Sequence, residues 1–411
     1  MNRRKFIYYG LTGATLLGGG ALNLSWLRLL PRAVAASTNL SLAIEEVMVP
    51  MFHNSPPIYM WAFKSQIPHG PTYTAIDLAT DSLDLPPPVP GSVLTVYEGD
   101  RVYLSVTNNH AGADHGFAIA KRPLPKLNPE ALTEPEILIE GPIISPMSQV
   151  DFSFEAPAAG TYLYFDPLNN PINRIMGLHG ALVVLPADGP TPYSNPTPAI
   201  QRLFSDLYEA EPFYTPDGSP GKAWDMLNPK RNYVWLFNDI DDIHVNTPLK
   251  NGVKLSTNQV KDTFLPRYFT INGRTGFPCA HAKENAPRGH IGEPILIRCL
   301  NAGLASHSPH IHGNHVYELI NQLHTDLQLR LAENVVELDT WELSPLVIKD
   351  VLHAYRKPPD ICPWPPDPAQ FGVEGMRFPM HCHIEMSQTA AGGNYPQGAI
   401  TDWVLLGPHQ T

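Results

Sequence analysis

Two histidine triplets constrain the fold of this chain more than any other feature: His310-Ile311-His312 and, later, His381-Cys382-His383. A strand alternates its side chains between faces, so both histidines of an H-x-H triplet point one way and the middle residue points the other. Two such triplets on neighbouring strands bring four imidazoles to one spot, and Cys382 then faces away from it. Imidazole suits copper, zinc and iron, and a thiolate with histidine and a weak axial ligand is a copper pattern. The alternative is a set of core histidines that pack against hydrogen-bonding partners. The spacing predicts a metal site carried by two adjacent strands.

The rest of the chain agrees with strands. Its 411 residues include 44 prolines and 30 glycines, and only 16% are charged. Short apolar runs broken by turn residues predict an all-β protein, long enough for two domains. Residues 40–190 alternate apolar and polar in this way, and the proline-, serine- and threonine-rich Pro186 to Pro198 reads as the interdomain linker. The second domain is expected over 200–411, with one short helix near Ala199 to Tyr208. The net charge is −11 and the basic residues form no stripe, which argues against a nucleic-acid partner.

Residues 1–36 resemble a twin-arginine export signal: Arg3-Arg4-Lys5, a glycine-interrupted apolar run to Leu27, then Ala33-Val34-Ala35. An uncleaved anchor is the alternative. Cleavage near Ala35 or Ala36 predicts a periplasmic or extracellular protein with no stable membrane insertion. In such a compartment the cysteines can pair. Cys279 and Cys362 lie in proline-containing loops and are candidates for a disulfide; Cys299 reads as a core residue.

The motifs as a set resemble the multicopper oxidases. The resemblance includes Pro90-Gly91-Ser92-Val93-Leu94-Thr95-Val96, Gly160-Thr161-Tyr162-Leu163-Tyr164, Gly177-Leu178-His179-Gly180-Ala181, Phe269-Thr270-Ile271-Asn272-Gly273 and both histidine triplets. It implies two cupredoxin-like Greek-key β-sandwich domains and copper as cofactor. It implies a cluster held by His310, His312, His381 and His383, with His115 as the first domain's contribution. His307 and Cys382 would belong to a mononuclear site.

The departures from the family are as informative. The first-domain ligand pairs are reduced to His115 within Ala113-Asp114-His115-Gly116, and Asp166 stands where related nitrite reductases carry a cysteine. The mononuclear site lacks its second histidine, because Ser387 occupies the place five residues after Cys382. Met376 or Met386 could supply a soft ligand there, or simply fill space. Glu385 is a candidate proton relay and Asp114 a candidate to orient water, each alternatively a plain surface or turn acid. His110 and His315 read as solvated or supporting residues and His179 as packing.

The resemblance implies one-electron oxidation of a phenolic or metal-ion donor coupled to dioxygen reduction, in a homotrimer. The alternatives are a non-catalytic copper-binding or cell-envelope protein, and a copper nitrite reductase.

Overall fold

The computed structural model describes residues 37–52, 55–65, 87–120, 136–209, 213–214, 220–221, 223–320, 331–359, 375–391, 393 and 395–407. The proposed export signal and Cys362 lie outside these residues.

The first β-sandwich faces two sheets together. One has the strand order β2-β1-β4-β7, from β1 (Ser37–Val49), β2 (Ile58–Ser65), β4 (Arg101–Asn108) and β7 (Ser148–Glu155). The other runs β3-β9-β8-β5-β6, from β3 (Gly91–Tyr97), β5 (Ala118–Ala120), β6 (Ile137–Glu140), β8 (Gly160–Phe165) and β9 (His179–Leu185). Between β8 and β9 lies a single helical turn, α1 (Ile172–Ile175). Strand β4 shows why the pattern folds so: Val102, Leu104, Val106 and Asn108 turn inward while Arg101 and Tyr103 face solvent.

The second sandwich pairs a six-stranded sheet with a four-stranded one. The larger contains β10 (Asn232–Ile240), β11 (Tyr268–Ile271), β12 (Ile295–Asn301), β14 (Val316–Ile320), β15 (Leu331–Leu338) and β16 (Ile348–His353), in the order β11-β10-β12-β16-β14-β15. The smaller sets Arg288–Gly289 beside β18 (Ile400–Leu405), then β17 (Met376–Cys382) and β13 (Pro309–Ile311).

The middle sheets are buried on both faces, and so read as continuous apolar runs. On β10, Tyr233, Trp235 and Phe237 enter the interior of the second sandwich. Val234 and Leu236 enter a different core, shared with Leu163 and Phe165 of β8 and with Ala181, Val183 and Leu185 of β9. Tyr162, Tyr164, Leu182 and Val184 point the other way, into the first sandwich. The two sandwiches are therefore joined through a third apolar layer, within one compact unit spanning Ala35–Thr411.

Polar groups fix the register of that layer. Thr161 and Tyr193 donate to Asp350 (2.9 Å each), and Arg298 donates to Thr161 (2.8 Å) and pairs with Asp350 (3.3 Å), with Arg298 and Asp350 wholly buried. Tyr193 belongs to the stretch expected to be a linker, which thus forms part of the shared layer. The expected short helix is α2 (Pro198–Glu209), whose Ile200 and Phe204, four residues apart, dock on the same core.

Cys279 and Cys299 are buried free thiols. Cys279, proposed to pair with Cys362, is thus a free thiol, and Cys362 itself lies outside the described residues. Cys279 sits in the apolar interior of the second sandwich, where its Sγ accepts from Asn285 (3.3 Å), and burial pushes the thiol up to about 12.

Candidate metal centre

Strands β13 and β17 pair antiparallel with His310 opposite His381, and Pro309 opposite Cys382. Pro309, Ile311, Met380 and Cys382 are buried on this ladder, while His312 and His383 are exposed and His310 and His381 half-buried. The period-two expectation is met: the histidines share one face and Cys382 takes the other. One ring nitrogen from each of His310, His312 and His381 lies within 4.8 Å of the other two. His383 adjoins them, its ring centroid 4.9 Å from that of His310 and 5.1 Å from that of His381.

Hydrogen bonding anchors Nδ1 of His310 and of His381 and so turns the Nε2 of each toward the cluster. His310 Nδ1 donates to the Asp339 carbonyl (3.1 Å) and to Thr340 Oγ1 (2.8 Å), which frees Nε2 as a lone pair. His381 Nδ1 donates to its neighbour's carbonyl, on Cys382 (3.3 Å), and its Nε2 lies 3.1 Å from His312 Nε2. Burial comes first in lowering the proton affinity of His310, His312 and His381, and neighbouring imidazoles lower it further. Neutral imidazoles with one nitrogen anchored and the other free are what a borderline transition metal takes. The donor set fits copper.

On the opposite face Cys382 Sγ lies 3.7 Å from His307 Nδ1 and accepts from the Ser308 amide (3.2 Å). A carboxylate can only accept, so Asp239 Oδ1, 3.1 Å from His307 Nε2, takes that N–H and turns Nδ1 toward the sulfur. Asp239 Oδ2 is held by the Leu304 and Ala305 amides (2.7 and 2.6 Å). Burial opposes a charge on His307, but the hydrogen bonds to Asp239 and Cys382 prevail and push it up to about 9. Burial likewise opposes the thiolate, yet the bond to His307 brings Cys382 below its usual range.

Ser387 is buried nearby: its carbonyl accepts from the Ala399 amide (2.7 Å), whose own carbonyl accepts from the Cys382 amide (3.0 Å). The Ser387 hydroxyl is buried without a hydrogen-bond partner. Neither methionine can stand in for a second histidine. Met386 is 53% exposed, and Met376 lies six residues from Cys382 on a strand rising about 3.3 Å per residue.

His115 is not brought to the histidine cluster within the chain. Asn108 donates to the carbonyls of Ala113 (2.9 Å) and Ile144 (3.0 Å), as Asn301 does to those of Ala305 (2.8 Å) and Leu343 (2.9 Å). His115 pairs with Ile144 through both backbone groups, as His307 does with Leu343. His115 is thus the first-domain counterpart of His307. Its Nδ1 donates to Asp166 (2.6 Å), which fills the place of Cys382, and Asn173 donates to the same oxygen (2.8 Å). Its Nε2 lies 2.8 Å from His110 Nδ1, a pairing that the sequence reading, which treats His110 as solvated or supporting, does not include.

The other expected residues fall as follows. Asp114 and Glu385 are exposed. His315 is exposed, whereas His179 packs in the interior, where burial lowers it to about 4. Asp239 was missed, although two adjacent polar residues, Asn238-Asp239, inside the run Tyr233 to Phe237 and Ile240 were a signal: a buried strand holds a carboxylate only for a partner.

Comparisons with known proteins agree with this architecture. Residues 87–189 match the multicopper oxidase family model. Copper-containing nitrite reductases of Pseudomonas chlororaphis and Alcaligenes xylosoxydans xylosoxydans are 26% and 25% identical over 229 residues, 55% of this chain. Those alignments cover only 53% and 58% of the two relatives. In structure the chain is similar to the blue copper oxidase from Nitrosomonas europaea (TM-score 0.55, 18% identity, 90% of this chain and 86% of that one). It is similarly close to multicopper oxidase mgLAC (TM-score 0.54, 19% identity, the same coverage). The fold is that of the two-domain cupredoxin proteins. Within that class the chain is multicopper-oxidase-like or copper-nitrite-reductase-like, and the family match itself falls on the first sandwich.

Proposed function

We propose that this chain is an exported copper-binding oxidoreductase of the multicopper oxidase type. Single electrons from a small phenolic or metal-ion donor would reduce dioxygen at the histidine cluster. The observation that carries the reading is the convergence of His310, His312 and His381, with His383 beside them, on one face of paired strands. Bound copper would supply the redox step and the affinity for dioxygen. The chain's own residues do the rest. Asp339 and Thr340 orient His310, and the exposed rings of His312 and His383 leave the cluster open to a donor from solvent. Glu385, exposed and two residues after His383, would exchange protons with solvent for the cluster.

His307 and Cys382 without a second histidine do not make a blue-copper frame, so no electron is routed through them here. In a homotrimer, the first-domain turn bearing exposed Asp114 and buried His115 would lie near the cluster of the next copy, Asp114 orienting water there. Both ring nitrogens of His115 are already engaged, so as a ligand it would first have to release His110.

Copper per chain and donor-dependent dioxygen uptake, measured on wild type and on the His381→Ala/His383→Ala variant, test the proposal. Undiminished copper in the variant refutes it.

A second reading, nitrite reduction at a single three-histidine copper, draws on the grouping of three rather than four ligand nitrogens and on the relatives' names. Nitrite consumption under anaerobic donor, with no dioxygen uptake in air, would favour it. Among the described residues no helix is long and apolar enough to cross a membrane. Export by the twin-arginine route is tested by Arg3→Lys/Arg4→Lys, which should hold the protein in the cytoplasm.

A further inference from the structure

We infer that His307 and Cys382 form a closed two-donor site for a soft monovalent ion, with Ser387 standing where a third donor would be needed for copper(II), and that copper bound there remains copper(I) in air. The inference rests on the copper reading above and concerns the face of the ladder opposite the cluster.

Three observations support it. The first is the donors. Cys382 Sγ and His307 Nδ1 face each other at 3.7 Å, and the position five residues after Cys382 holds a buried serine, Ser387, in place of a second imidazole. Thiolate donors select copper(I), whereas copper(II) prefers a fuller tetragonal set of nitrogen and oxygen ligands.

The second is closure. His307, Cys382 and Ser387 are each 0% exposed, so solvent does not reach the site to complete a larger coordination shell.

The third is charge. A metal-bound cysteine is a thiolate. With it are buried the Asp239 carboxylate behind His307 and the Arg174 guanidinium, which donates to the carbonyls of Ala302 and Gly303 on the loop leading to His307. Two negative charges and one positive are neutralised by a monovalent ion. A divalent ion would leave a net positive charge in an apolar interior, a costly arrangement. The loop is built around this carboxylate: a Cβ on Gly303 would meet Asp239 Oδ2 at 2.2 Å.

The test uses the full chain with the cluster disabled, His310→Ala/His312→Ala, loaded with copper(I) in the absence of air and then held in air. Copper content, X-ray absorption edge and electron paramagnetic resonance are recorded. The expected result is one copper per chain with a copper(I) edge, no paramagnetic signal and no visible band, lost on adding Cys382→Ser. Adding Ser387→His to the same chain should make the ion oxidisable and give a thiolate-to-copper(II) band. A paramagnetic copper(II) signal from the chain with native Ser387 overturns the inference and leaves the copper reading standing. Absence of copper from that chain, while wild type retains it in the cluster, overturns the site itself. A Ser387→His chain that stays colourless overturns the claim that the missing donor keeps the ion reduced.

Discussion

His310 and His312 reach solvent because Pro309 and Ile311 turn inward, and Cys382 is buried because His381 and His383 are not. A change on one face of this ladder therefore reads out separately from a change on the other. His310→Ala or His381→Ala should each lower copper affinity of the cluster by tenfold or more, roughly the loss that weakened ligation brings. Competition with a chelator measures it, and an unchanged affinity would exclude that histidine as a ligand. Asp239→Asn removes the anionic partner of His307 while keeping its shape. A buried hydrogen bond to a charged group is worth about 2 kcal/mol, so the metal-free variant should unfold at lower urea by that margin.

The histidine ladder was legible in the sequence because the period of a strand is two and the triplets announce it. His110 beside His115, and Asp239 behind His307, were not. Asp239 on β10 meets His307 only when segments 68 residues apart close on each other, and His110 meets His115 through the path of one irregular turn that no strand or helix period encodes. Ser387 was legible as a departure from the family pattern, but its burial was not.

At the scale of elements, the strands that bind the two sandwiches carry alternate side chains into two different cores. From the sequence, β8, β9, β10 and β12 are recognisable as buried strands because they are largely apolar on both faces. Which core each residue enters could not be read, since both faces look alike in composition. The polar set Thr161, Tyr193, Arg298 and Asp350 fixes that choice. Asp350→Ala leaves Arg298 buried without its carboxylate and should cost about 3 kcal/mol or more. Denaturant titration tests this, and a loss below 1 kcal/mol would mean water reaches Arg298 readily. Tyr193→Phe removes one of several hydrogen bonds to the same carboxylate and should cost about 1 kcal/mol.

For the whole molecule, acid should weaken the metal-free fold before its carboxylates titrate. His179 and His353 are buried, and burial lowers them to about 4 and about 3. Their folded-state affinities lie below the unfolded value of about 6.5, so their contribution is complete above that pH and is lost as pH falls toward 4 and then 3. Unfolding should take up roughly two protons between pH 6 and 4.5 from these groups. His307 has the opposite sign: raised to about 9, it stabilises fully below pH 6.5 and loses that contribution as pH rises through 9. Stability measured by urea titration from pH 4.5 to 9.5 should therefore peak between the two limits. A flat acid limb would show that His179 and His353 are protonated in the folded state.

The shared apolar layer also sets a schedule for synthesis. Leu163, Phe165, Val183 and Leu185 leave the ribosome early, yet part of their cover, Ile348 and Leu352, follows far behind. At about 5–20 residues per second, the nascent first sandwich waits on the order of ten seconds with one greasy face uncovered. A chaperone that shields that face during translation, or a slower-aggregating host at low temperature, should raise the yield of soluble protein more than any change at the metal centre.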